Sequence, residues 1–125
     1  LPTEYSVSEK STQDNLIYSE EALQKYVREK QPVFLNFTAD WCITCKVNER
    51  VALKSDRVKS IMNAKNIIYM EADWTRKDAN IANKLEEYGR TGVPLYLLYN
   101  SEGDPIILPE ILTEDILVNY LEDLS

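Results

Sequence analysis

Apolar residues along this chain recur at two spacings, and the alternation between them outlines the fold. Ser19 is a good N-cap, Glu20 and Glu21 fill a first turn, and Ala22, Leu23, Tyr26 and Val27 then share one helical face. Pro32 ends that segment, and "VFLNF" (Val33–Phe37) is a nearly continuous apolar run, as expected of a central strand covered on both faces. A helix is predicted from the cysteines just beyond it to about Leu53. "SDRVKSIMNAK" supplies a second cap and a short helix carrying Val58, Ile61 and Met62. "NIIYMEAD" (Asn66–Asp73) reads as a strand. Asp78 is a candidate cap for a helix with Ile81, Leu85 and Tyr88, and Gly89 sits where a C-terminal glycine belongs. "PLYLLY" (Pro94–Tyr99) is strand-like, "NSEGD" is a hairpin turn, and "PIIL" (Pro105–Leu108) is a returning strand placed at an edge by its proline. Thr113 caps a last helix with Ile116, Leu117, Tyr120, Leu121 and Leu124.

The predicted order is α-β-α-α-β-α-β-β-α, with room for a short first strand near Leu16 and Ile17. Alternating β and α units followed by a hairpin indicate an α/β domain with a central mixed sheet flanked by helices. Residues 1–14 are polar and aperiodic and read as a linker or tail, leaving residues 15–125 as one domain. The chain begins at Leu1 without an initiator Met or a signal-peptide pattern, so a mature form or an excised piece is expected. No apolar run approaches the ~20 residues of a membrane helix, so direct membrane insertion of this segment is not expected.

Composition narrows the chemistry. The net charge is −7, from 21 acidic and 14 basic residues, and no Lys/Arg cluster interrupts it; nucleic acid is not an expected partner. There is no histidine, which removes Ser-His and Cys-His catalysis and every His-based metal site. Two cysteines cannot close a Cys₄ zinc site, and a CxxC joined by two carboxylates is an uncommon ligand set. No metal and no cofactor beyond a Cys42–Cys45 disulfide is expected.

"WCITCK" holds both cysteines, Cys42 and Cys45, after a strand and at the start of a helix. A helix N-terminus offers unpaired N–H groups and the positive end of the dipole, which favour a thiolate at Cys42. Cys45 lies one turn further on and is expected to be more buried. Such a pair suits exchange, with Cys42 attacking a partner disulfide and Cys45 resolving the mixed disulfide. The bland alternative is a permanent staple, but a loop this short restrains the unfolded chain little. Trp41 offers a flat apolar surface beside the first sulfur.

Other residues carry two readings each. In "GVP", a cis Val93–Pro94 bond would leave the backbone of Val93 free for a partner strand, whereas a trans proline merely opens a strand. Cys42, Cys45 and Glu49 are spaced i, i+3, i+7 and share a helical face, which places a carboxylate below the sulfurs. Buried, Glu49 can pass a proton to or from Cys45 and raise the thiol pKa; solvated, it sits near Lys46 or Arg50. Trp74 either caps the core or lines the rim of the site, and Tyr96 and Tyr99 read as packing residues on opposite faces of a strand.

With "WCITCK" followed by "GVP", the chain resembles the thioredoxin superfamily, and the predicted element order matches the thioredoxin fold over residues 16–125. "FTADWCITCKVNE", "ADWT" and "YGRTGVPLYLLY" further resemble the C-terminal periplasmic domain of the DsbD family of membrane reductases. The resemblance implies a protein-disulfide reductase domain that accepts electrons from a transmembrane domain and passes them to an N-terminal domain of the same protein. It implies a periplasmic location and a tail that connects to a membrane helix; a monomer is expected. By the same resemblance Cys42 attacks, Cys45 resolves, Pro94 is the cis-proline and Glu49 tunes the attacking thiol. Asn36 departs from the pattern, because the position six residues before the first cysteine carries an acid in thioredoxins and in some members of this family. Glu49 is then expected to modulate Cys42 alone. Other readings stay open: a free-standing reductase serving cytochrome c maturation or other periplasmic clients, a disulfide-forming oxidase, and a redox-inert binding module that uses the Val93–Pro94 groove.

Overall fold

All six residues of the strand Val33–Thr38 are buried, as its apolar run requires. The structure, a computed structural model, describes residues 16–124; the expected tail, residues 1–14, lies outside the described residues. In chain order the elements are β1 (Leu16–Ile17), α1 (Glu20–Arg28), β2 (Val33–Thr38), α2 (Ile43–Asn48), a π-helical turn (Glu49–Leu53), α3 (Asp56–Ala64), β3 (Ile68–Asp73), α4 (Ala79–Glu87), β4 (Leu95–Tyr99), β5 (Pro105–Ile107) and α5 (Glu114–Glu122). Among the described residues, five strands form one mixed sheet in the order β1-β3-β2-β4-β5. β3 runs parallel to β1 and β2, while β4 runs antiparallel to β2 and β5. This is a thioredoxin fold, with its sheet covered on both faces.

The two faces of the sheet follow the two parities of each strand. Val33, Leu35 and Phe37 of β2 pack with Met70, Ala72, Leu95, Leu97 and Tyr99 under Leu23 of α1 and Ile81 and Leu85 of α4. Phe34 of β2 packs on the opposite face with Tyr96 and Leu98, under Val58 and Met62 of α3, Ala52 and Leu53 of the π-turn, and Leu117, Val118 and Leu121 of α5. Tyr96 and Tyr99 therefore do face opposite ways. Phe34 stacks between Tyr69 and Tyr96 at centroid distances of 5.8 and 6.0 Å, linking three strands across this second face.

Local chemistry explains most boundaries. Ser19, Ser55 and Thr113 each cap a helix, their hydroxyls accepting from the N–H groups of Ala22, Val58 and Ile116. Asp78 does not do so with its side chain; its backbone carbonyl instead accepts from Ala82 N–H and from the indole N–H of Trp74. β3 starts at Ile68 rather than Asn66, because Asn66 takes a left-handed conformation (φ 56°) that closes α3. β4 starts after Pro94, which has no N–H to give the ladder. The helix expected to run regularly to Leu53 changes at Glu49 into a π-turn, closed by the Lys54 N–H on the Glu49 carbonyl at 2.9 Å. That wider turn buries both Ala52 and Leu53 while Arg50 and Val51 stay exposed.

Gly103 turns the β4–β5 hairpin at φ 85°, and a Cβ there would lie 2.8 Å from Val27 Cγ1. Gly103→Ala is expected to destabilise the domain by about 1–2 kcal/mol, from left-handed strain plus that contact. Urea denaturation should show a lower midpoint at an unchanged slope.

Candidate active site: a disulfide at the start of a helix

β2 delivers the chain to the C-terminal edge of the sheet, where α/β folds place their sites. Ala39 follows the strand, and Cys42 is the N-cap of α2, with φ −94° and ψ 106°. Its Sγ accepts from the backbone N–H of Cys45 at 3.1 Å. Cys42 and Cys45 are joined in a disulfide, with their Cα atoms 5.3 Å apart. Cys42 is 6% exposed and Cys45 1%, so an incoming group reaches Cys42 first.

Val93 packs against the cluster formed by Ala39, Cys42 and Cys45. The Val93–Pro94 peptide is cis and Pro94 is buried, so of the two readings of "GVP" the structure adopts the cis one. Trp41 is half-exposed on the other flank. Its indole N–H donates to the Thr75 carbonyl at 3.0 Å, and its ring tilts against Trp74 at 6.0 Å. Lys77 Nζ lies 5.2 Å from the Trp41 ring and 5.8 Å from that of Trp74. Trp74 is buried in the core, and its ring backs Trp41 from there, so of its two readings the core one holds.

Beneath α2, the sheet face is polar. Glu49 is half-buried, and its Oε2 accepts from the Thr38 hydroxyl at 3.3 Å. Lys46 lies 3.8 Å from Asp40. Asn36 is fully buried; its Nδ2 donates to the Tyr69 hydroxyl at 2.8 Å, while its Oδ1 finds no partner among the described residues. The Asn36 amide thus occupies the middle of the strand next to the ladder positions of Glu71 on β3 and Tyr96 on β4.

Three residues that sequence reasoning passed over belong to this construction. Asn48 is buried and ties α2 to the loop after β5: its Nδ2 donates to the Tyr96 hydroxyl and the Glu110 carbonyl, and its Oδ1 accepts from Leu112 N–H. An asparagine inside a helix next to apolar neighbours was the available signal. Thr75 holds Trp41 by its carbonyl, and its hydroxyl accepts from the Asp40 N–H at 2.9 Å. Glu71 is half-buried on β3, and burial, with the charge of Glu49 next in weight, pushes its carboxyl above the usual carboxylate range. Burial likewise pushes the Tyr96 phenol up to about 12, the Glu49 charge adding to it against the Asn48 hydrogen bond. A groove of about 650 Å³ opens on this flank and is lined by Thr38, Lys46, Glu49, Tyr69 and Glu71 among others.

A CxxC disulfide at the N-terminus of a helix, on the strand-end edge of this sheet, defines a thiol–disulfide exchange domain. The chain belongs to the thioredoxin-like family, whose model matches residues 14–101. It is 33% identical over 76 residues to the thiol:disulfide interchange protein DsbD of Yersinia pestis, a match that covers 61% of this chain and 12% of that protein. DsbD of Ralstonia nicotianae is 28% identical over 85 residues, covering 68% of this chain and 14% of that protein. The chain therefore spans only a small part of the curated relatives it matches. Among solved structures, the reduced C-terminal domain of Neisseria meningitidis DsbD superposes with a TM-score of 0.71 at 24% identity, covering 88% of this chain and all of that one (100%). Chloroplastic thioredoxin z has the same fold, with a TM-score of 0.67 at 16% identity over 86% of this chain and 91% of its own. Among the described residues, no helix is long and apolar enough to cross a membrane, and no group of three or more Asp, Glu or Cys side chains is arranged to hold a metal ion.

Two predictions test this construction. Asn48→Ala leaves a phenol, a carbonyl and an N–H without their partner and is expected to cost about 2–4 kcal/mol, read by chemical denaturation. Glu71→Gln tests the raised carboxyl. A carboxyl whose folded pKa is raised costs no stability below its unfolded value, near 4.3 for Glu, and its full cost above its folded value. Thermal melts should therefore show Glu71→Gln more stable than wild type at pH 7 and equal to it at pH 3.

Proposed function

We propose that this chain is a protein-disulfide reductase domain that works as one station of a periplasmic electron relay, receiving electrons from a membrane-embedded dithiol and passing them to a partner domain. The observation that carries it is the Cys42–Cys45 pair with the Cys42 sulfur capping α2 and Cys45 buried behind it. Similarity to DsbD proteins over 61% and 68% of this chain supports the direction of transfer. In this reading the remaining parts of the same membrane reductase are the donor and the acceptor, and the domain acts as a monomer in the periplasm. A free-standing reductase for cytochrome c maturation would use the same chemistry.

The forward step starts with the reduced pair. The Cys42 thiolate attacks one sulfur of a partner disulfide, forming a mixed disulfide and releasing the other partner sulfur as a thiolate. Cys45 then loses its proton and attacks Cys42 Sγ, forming the Cys42–Cys45 disulfide and releasing the second partner thiolate. Two electrons pass to the partner, and the proton from Cys45 ends on one of its sulfurs. Glu49, one turn beyond Cys45 and held by Thr38, is the nearest-placed carboxylate on the helix to receive that proton. Val93 offers its backbone beside the sulfurs to the incoming chain, and Trp41 forms the wall on the opposite flank. Asn36 keeps its central buried position uncharged.

The exchange reading predicts a division between the cysteines. Cys42→Ser is expected to abolish reduction of insulin by dithiothreitol-regenerated protein. Cys45→Ser should accumulate a mixed disulfide with the partner, visible on a non-reducing gel. Equilibration with glutathione should give a potential well below the roughly −120 mV of strong oxidants; a value near that figure would identify an oxidase, and full insulin reduction by Cys42→Ser would point to a binding module.

A further inference from the structure

We propose that Glu71 supplies a second carboxyl to the exchange site and shares a proton with Glu49, so that the pair rather than Glu49 alone receives the proton of Cys45. This assignment rests on the exchange reading given above and makes Glu71 a positioning residue that acts through Glu49.

The geometry begins in the sheet. Glu71 is the β3 neighbour of Asn36 in the parallel ladder, and it shares its strand face with Tyr69 and Asp73. Position 36 carries an amide, which neither ionises nor takes up a proton. The adjoining strand brings a carboxyl to the same face. Glu49 reaches this face from above, where Thr38, two residues beyond Asn36, donates to it. Glu49 and Glu71 line one groove with Thr38 between α2 and the sheet. Tyr69 reports on the same place: its phenol accepts from Asn36, and burial pushes its pKa up, with the charges of Glu71 and Glu49 adding to the rise. The buried Oδ1 of Asn36, which has no partner among the described residues, is an acceptor that a protonated carboxyl can satisfy and an ionised one cannot.

The other charges around Glu71 do not neutralise the pair. Asp73 on its own strand and Asp40 after β2 add negative charge, and Lys46 of α2 opposes it from beside Asp40. Asp73 is itself occupied by the N–H and hydroxyl of Thr75. Lys54 and Lys59 line the groove from exposed positions after the π-turn and on α3. Burial first, and then the Glu49 charge, make the Glu71 carboxyl hold its proton more tightly than an ordinary glutamate. A carboxylate of higher proton affinity is a better base toward a thiol.

The test has two arms on the full 125-residue chain. Carbon-13 carboxyl NMR of the glutamates against pH, on wild type, Glu49→Gln and Glu71→Gln, reads the pair directly. The midpoint of Glu71, which the Glu49 charge helps to raise, is expected to fall in Glu49→Gln. Stopped-flow reaction of the reduced protein with dithiodipyridine reads the proton transfer: release of the first thiopyridone reports Cys42 and release of the second reports Cys45. Glu71→Gln is expected to leave the first unchanged at pH 7, slow the second roughly threefold, and move its acid limb to lower pH. A merely structural Glu71 would leave that limb in place. An unmoved Glu71 midpoint in Glu49→Gln, or an unmoved acid limb in a chain that still exchanges, overturns the role given to Glu71 and leaves the exchange reading standing. A wild-type chain that releases no thiopyridone overturns both. Should Glu71→Gln fail to fold, the wild-type and Glu49→Gln titrations still decide, since an equal Glu71 midpoint in both denies the pairing.

Discussion

The double-sided burial of β2 is the constraint on which the rest of the structure depends. A strand with both neighbours paired and both faces covered has nowhere to slip, because a shift of one residue would turn every side chain to the wrong core. Val33, Leu35 and Phe37 belong to one core, Phe34 to the other, and all are at zero exposure. The end of this strand is therefore a fixed point, and Cys42 is set only four residues beyond Thr38. The more exposed sulfur of the disulfide is anchored by the most buried element of the sheet.

The same strand also carries polar groups into the interior at Asn36 and Thr38, where burial of an unsatisfied group is costly. The Asn36 Nδ2 and the Thr38 hydroxyl find partners on neighbouring elements, Tyr69 and Glu49, while the Asn36 Oδ1 has none among the described residues. Asn48 does the complementary task from the helix side, ending on Tyr96 and on the segment that leads into α5. The layer between α2 and the sheet is thus a hydrogen-bonded one, in contrast to the apolar layer below α3 and α5. A polar layer here costs stability, as the raised carboxyl of Glu71 illustrates. It also places carboxyl and hydroxyl groups beside a helix that Cys42 caps. Stability and exchange chemistry meet in the same few side chains.

The rim is assembled differently, from loops pinned to one another. Thr75 grips the Asp40 N–H and the Trp41 indole, Trp74 backs Trp41, and Val93 closes against the cysteines from the far side. These three loops leave the ends of β2, β3 and the helix α4, so the walls around the disulfide come from separate parts of the chain. Trp41 remains half-exposed because its partners hold its nitrogen and one edge, leaving the other ring surface free.

Periodicity was enough to read the element order, the two-faced central strand, the three hydroxyl caps and the edge proline, since each depends on residues near in sequence. The cysteine spacing at a strand–helix junction was likewise legible, and with it the order of exposure of Cys42 and Cys45. The π-turn at Glu49 was not, because a regular helix and a wider turn satisfy the same apolar spacing over five residues, and core packing chooses between them. Nor was the state of the Val93–Pro94 bond, which local sequence leaves open and surrounding contacts settle. Asn36 looked like the loss of an acid, and read along one strand it is. Only the pairing of β2 with β3 sets Glu71 beside it, because strand register joins residues 35 positions apart that no local pattern connects. Local spacing determined where the sulfurs lie; hydrogen bonding between distant strands decided which carboxyl lies beside Asn36.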